Sequence, residues 1–221
     1  MTDPFRLVIF DVDGTLVDSQ AQILAGMRAA FLSSGMEPPP DAAIYGIIGL
    51  SLERGVEVLA PGLSPGDYKA LIEGYRASFL SGSDVAPLFP GAREVVEGLG
   101  ARDDILLAIA TGKSRRGLDK VMAGHDIGRH FVSVQVSDHH PSKPHPSMIE
   151  AVLSETGVPA PAAVMIGDTD YDIEMGRNAG VATIGVTWGN HPPERLTVAG
   201  ADVVIDDFAQ LSAALDRIWG A

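Results

Sequence analysis

With 221 residues the chain is long for one domain and short for two equal ones, so length alone predicts a main domain carrying an inserted module. Hydrophobic residues make up 46% of it and charged residues 20%, which excludes compositional disorder, and the lack of cysteine excludes disulfides and thiolate metal sites. A formal net charge of −13 argues against nucleic acid as a partner, because phosphate backbones need a basic surface.

The first apolar run, residues 7–10, is too short for a signal peptide or a membrane span, so a soluble, cytoplasmic protein is expected. The run reads as a strand, and Asp11 and Asp13 follow it. Helical periodicity then takes over. Ile23, Leu24, Met27 and Phe31 share one helical face, and Gly35 supplies a stop. Leu52, Val56 and Leu59 suggest a second helix; Tyr68, Leu71, Ile72, Tyr75 and Phe79, with Pro65 near the start, suggest another. Residues 17–85 are therefore read as an inserted helical cap, with junctions at 17–20 and 81–90, and residues 1–16 and 86–221 as the main domain. A main-domain helix is expected to begin near Pro90-Gly91.

Further short apolar runs lie at 105–110, 132–136, 164–166, 182–186 and 203–205, with helix-like segments between them. Continuous runs of this length read as strands buried on both faces, and right-handed crossovers place helices on both sides of a parallel sheet. The predicted fold is a Rossmann-like α/β core with an inserted helical cap.

Chemistry-bearing residues follow three of these runs. Asp11 and Asp13 follow the first, Thr111-Gly112-Lys113 the second, and Asp168, Asp170 and Asp172 the run at 164–166. Strands of an open parallel sheet share one carboxyl edge, where ligands bind, so these groups are expected to meet. A carboxylate cluster of that kind is too costly unless a cation neutralises it, and all-oxygen donors suit Mg²⁺. Such an ion also answers the charge problem, since an acidic protein does not attract an anionic substrate by its overall field.

Asp11-Val12-Asp13-Gly14-Thr15 resembles the first signature of the haloacid dehalogenase superfamily. Thr111-Gly112, Lys143-Pro144 and Gly167-Asp168-Thr169-x-x-Asp172 resemble its other three, in the right order. The likeness spans essentially the whole chain and is nearest to the phosphoglycolate phosphatase-like subgroup. It implies a Mg²⁺-dependent phosphatase acting on a small phosphate ester. Asp11 would be the nucleophile that forms an aspartyl-phosphate, and Asp13 the general acid and base. Asp11, Asp168 and the main-chain carbonyl of Asp13 would hold the metal. Thr111, the Gly112 amide and Lys143 would bind the phosphoryl oxygens, with Asp172 orienting Lys143 or a metal-bound water. An acid at position 13 favours ester hydrolysis or phosphoryl transfer over dehalogenation. Many relatives carry Asn where this chain has Gly112, so a side-chain contact to substrate is missing here.

Other residues carry less. His139, His140 and His145 read as a polar loop presenting Lys143, because magnesium prefers oxygen. Lys113, Arg115 and Arg116 read as a solvated helix start, with electrostatic help to the phosphate as the alternative. Trp188-Gly189 either packs or lines the pocket, and Asp18 and Asp103 read as caps or linker residues. Arg54, after Gly49-Leu50-Ser51-Leu52 in the cap, is the candidate for gripping a substrate carboxylate. A phosphomutase or pyrophosphatase of the same superfamily, and a phospho-accepting signalling domain, are the rival readings. The last is shorter, capless and lacks an acid placed like Asp13. Oligomeric state is not encoded in any of these patterns.

Overall fold

The computed structural model describes residues 5–81 and 85–220. Its frame is a six-stranded, all-parallel sheet of β1 (Arg6–Phe10), β2 (Ile105–Thr111), β3 (Phe131–Val136), β4 (Ala163–Gly167), β5 (Ala182–Val186) and β6 (Val203–Ile205), in the order β3-β2-β1-β4-β5-β6. Each coincides with one of the six apolar runs to within a residue or two. Alternation along β1 sends Val8 and Phe10 to one face and Leu7 and Ile9 to the other. The first face packs on α5 (Ala92–Gly100), α6 (Arg115–His125) and α10 (Leu211–Trp219) through Val96, Leu118, Leu211 and Leu215. The second packs on α7 (Ser147–Thr156) and α8 (Asp170–Asn178) through Met148, Ile149, Val152 and Met175. A further helix, α9 (Pro193–Ala199), connects β5 to β6. The edge strands depart furthest from two-sided burial: Val132 of β3 is exposed, and Val203 and Val204 of β6 are half-buried.

Between β1 and β2 lie α1 (Gln20–Ser33), α2 (Asp41–Tyr45), α3 (Leu52–Leu59) and α4 (Pro65–Ser81). They enclose an apolar cluster of their own, centred on Met27, Phe31, Ile44, Val56, Leu71 and Ile72. The short α2 follows Pro38-Pro39-Pro40 and has too few residues to show a period, which is why the apolar pattern does not predict it. Two chain segments join this bundle to the sheet and run side by side. The Asp18 amide donates to the Pro87 carbonyl at 2.8 Å, the Phe89 amide donates to that of Leu16 at 3.0 Å, and Val17 bridges Leu88. The expected second junction includes residues 82–84, which lie outside the described residues. Among the described residues no helix is long and apolar enough to cross a membrane.

Strand order reverses at β1: β2 and β3 lie to one side of it, β4 to β6 to the other. Crevices at such switch points open at the carboxyl ends of the strands, and β1 and β4 are the neighbours that carry Asp11 and Asp168 there.

Candidate active site at the carboxyl edge

Asp11, Thr111, Lys143, Asp168 and Asp172 are each 1% exposed or less, and Asp13 is 8% exposed. One carboxylate oxygen from each of Asp11, Asp168 and Asp172 lies within 4.8 Å of the others. The Lys143 ammonium sits between two of them, 2.9 Å from Asp11 Oδ1 and 2.6 Å from Asp172 Oδ1.

The three carboxylates are supported differently. Asp172 Oδ2 accepts from the Thr169 amide at 3.1 Å and from its hydroxyl at 2.6 Å, closing a reciprocal cap on the first turn of α8. With Oδ1 on Lys143, Asp172 is committed to positioning that ammonium. Asp168 Oδ1 accepts from the Thr15 hydroxyl at 2.9 Å, and Oδ2 accepts from the amide and the side-chain NH₂ of Asn190, both at 2.8 Å. That approach requires Gly14: its φ is +85°, and a Cβ there would lie 2.2 Å from Asp168 Oδ2. Apart from the Lys143 ammonium beside Oδ1, neither carboxylate oxygen of Asp11 has a hydrogen-bonding partner, although both are buried.

Electrostatics follow from this crowding. Burial lifts the Asp11 carboxyl to about 6, more than Lys143 lowers it, and Asp172 and Asp13 add to the rise. Burial, with Asp172 and Asp11 nearby, lifts Asp168 to about 7 despite the Asn190 hydrogen bonds. Burial opposes the charge on Lys143, but Asp11 and Asp172 outweigh it and hold its pKa above that of an ordinary lysine. All-oxygen donors at the ends of two strands, with a buried Asp11 Oδ2 that has no partner, fit a hard divalent cation.

The sequence model of the haloacid dehalogenase-like hydrolases matches residues 8–186. The chain belongs to that family. The Dickeya dadantii protein named "Probable phosphatase IndB" is 35% identical over 94% of this chain and 92% of its own. The phosphoglycolate phosphatase of Haemophilus influenzae is 28% identical over 97% of this chain and all of its own, 100%. A solved hydrolase from Pseudomonas syringae shares the fold, with a TM-score of 0.87, 24% identity, and coverage of 96% of this chain and 99% of that one.

In this haloacid dehalogenase-like hydrolase the site opens into a cavity of about 530 Å³. Asp11, Asp13, Thr111, Gly112 and Lys113 line its sheet side; Ile23, Met27, Ile48, Tyr75, Arg76 and Phe79 are among the residues lining its helical side. Asp13 is turned toward Ser19, whose hydroxyl donates to Oδ1 at 2.6 Å, and toward Lys113, whose ammonium is 2.9 Å from Oδ2. Lys113 is therefore not a solvated helix residue. Its side chain is only 7% exposed, and its ammonium lies 4.8 Å from the centre of the Phe79 ring. Of its neighbours, Arg115 pairs with Asp119 at the surface and Arg116 lines the cavity.

The helical insert docks on the site through its 46–51 segment. The Tyr171 hydroxyl donates to the Gly46 carbonyl at 2.9 Å, and the Ser51 amide donates to Ser142 Oγ at 2.9 Å. Gly112 lies beneath this segment: a Cβ there would stand 2.4 Å from the Gly49 carbonyl oxygen and 2.6 Å from that of Leu50. Glycine at 112 thus has a steric cause in this chain.

Arg54 is where the reading from sequence and the structure part. Its amide donates to Ser51 Oγ at the start of α3, and that helix turns the guanidinium outward, 57% exposed and 3.0 Å from Glu57. It does not line the cavity. Arg76 does, tethered to Glu53 at 2.7 Å. Asn190 was also missed, although it lies just past the carboxyl end of β5, where the strand-end signal applies. Trp188 packs: its indole N–H donates to the Thr15 carbonyl at 3.0 Å, and its ring lies against Phe208. His140 is tied to Ser147 and Gln135, and no histidine belongs to the carboxylate trio.

Proposed function

We propose that the site hydrolyses a small phosphate monoester with Mg²⁺ through an aspartyl-phosphate on Asp11, making the chain a phosphoric monoester hydrolase. One observation carries the reading. Asp11 presents a buried carboxylate whose one partner is the Lys143 ammonium, with Oδ2 left unbonded, at the edge of a cavity that also holds Asp13 and Thr111. A buried carboxylate held by a single cation and keeping a free oxygen is a poor structural element and an apt nucleophile once its charge is balanced.

Asp11 and Asp168, with the main-chain carbonyl of Asp13, would hold the ion. When bound it would neutralise the nucleophile and polarise a phosphoryl oxygen. Lys143, Thr111 and the Gly112 amide would hold the remaining phosphoryl oxygens as charge builds on them. Asp13, on the cavity side of Asp11, would give a proton to the leaving alcohol and then take one from the water that cleaves the acyl phosphate. Residues 17–85 would act as a cap that opens at the two linking segments around Val17 and Leu88 and excludes water when its 46–51 segment docks. The names of the phosphatase relatives support the reaction class, and phosphoglycolate phosphatases among them support small esters as substrates.

Phosphate release from a panel of small monoesters with Mg²⁺ tests this. Asp11→Asn should abolish turnover while far-UV circular dichroism stays unchanged; release above background by that variant would refute a nucleophilic Asp11.

A further inference from the structure

Resting on the phosphatase reading, the cavity points to a class of leaving group. At about 530 Å³ it falls within the range of pockets that enclose drug-sized ligands, far more space than a two-carbon acid fills. Its helical wall is mostly apolar. Ile23 and Met27 of α1, Ile47 and Ile48 before α3, and Tyr75 and Phe79 of α4 all line it. Tyr75 and Phe79 lie one helical turn apart with ring planes 23° from parallel and centroids 6.2 Å apart, so together they form one aromatic face. Polar residues stand on the opposite side around Asp13, Lys113 and Ser114, and on the helical side the paired Arg76 and Glu53 interrupt the apolar wall.

We propose that the physiological substrate is a phosphate monoester of an alcohol bearing a ring-sized apolar body, which packs against the half-buried Leu52, Tyr75 and Phe79 while its phosphate meets Asp11. Phosphoglycolate would leave that wall facing water inside a docked cap, and the hydrophobic gain on docking would be lost. A ring there displaces that water. Because the wall belongs to the helical insert, this gain is made only with the insert docked, so it favours the closed arrangement in which Ser51 meets Ser142.

Benzyl phosphate, ethyl phosphate and phosphoglycolate test the idea, since all three expel an alkoxide rather than a phenolate. Benzyl phosphate should show kcat/KM roughly tenfold or more above either of the others, the value of burying one ring. Tyr75→Ala and, separately, Leu52→Ala should raise KM for benzyl phosphate several-fold and leave ethyl phosphate within a factor of two. Phosphoglycolate turning over faster than benzyl phosphate, or either variant weakening both alkyl esters equally, overturns the proposal while leaving the phosphatase reading intact. No phosphate release from any ester by folded, Mg²⁺-supplied protein removes both.

Discussion

Replacing Lys143 by Met tests the charge balance on which the site depends. The ammonium has 0% side-chain exposure and its two carboxylate partners have 1% and 0%, so the pair belongs with buried ion pairs, where losing one partner costs about 3–5 kcal/mol, and not with surface pairs worth under about 1 kcal/mol. Methionine fills a similar volume without charge, so most of the loss should come from stranded carboxylates rather than a void. The pH dependence has a definite sign. The Asp11 carboxyl titrates near 6 in the folded protein against an ordinary 3.8, so the native state holds its proton more tightly than the unfolded chain, and stability falls as pH rises through that window. Removing Lys143 takes away the charge that lowers this value and moves it higher. Urea unfolding in EDTA should therefore show a loss of about 3–5 kcal/mol at pH 8 and a smaller one at pH 5, where the carboxyls can take up protons. Activity with Mg²⁺ should fall about 100-fold or more, as for other lost phosphoryl-stabilising donors. A variant within about 0.5 kcal/mol of wild type at pH 8, the usual effect of a neutral surface change, or one equally destabilised at both pH values, refutes the argument.

Other perturbations address separate parts. Asp11 and Asp168 titrate near 6 and 7 and must shed protons to bind a cation, so the rise in Tm on adding Mg²⁺ should grow from pH 5 to pH 8; a pH-independent rise contradicts the ligand assignment. Gly112→Ala sets a methyl against two backbone carbonyls of the docking segment, so scanning calorimetry should show a loss of about 1–3 kcal/mol, with KM several-fold higher. An unchanged KM counts against that docking. Arg54→Ala, which removes only an exposed pair with Glu57, should leave stability within about 0.5 kcal/mol and KM for phosphoglycolate unaltered; a raised KM restores the carboxylate role expected from sequence.

The strands were legible because a strand buried on both faces needs an unbroken apolar run, and each such run here is short and bounded. Edge strands blur that rule: Val132, near the start of edge strand β3, is 60% exposed although it sits within an apolar run. The helical insert was legible from its periodicity, except α2, which is too short to have one. Lys113 was misjudged because a lysine after a strand is ordinarily solvated, and nothing local announces that Asp13 and, from α4, Phe79 close over it.

What the sequence determined by itself is the set of strands and the residues placed at their carboxyl ends, since both follow from runs of a few neighbouring side chains. Tertiary structure decided which side chains meet. Thr15 reaches Asp168 across 153 positions, Asn190 completes the hold from the end of β5, and the insert's carbonyls leave only glycine at 112. It also decided that α3 turns Arg54 away from the cavity while α4 brings Arg76 to it. These outcomes depend on how helices sit on a twisted sheet, and no stretch of neighbouring residues encodes that orientation.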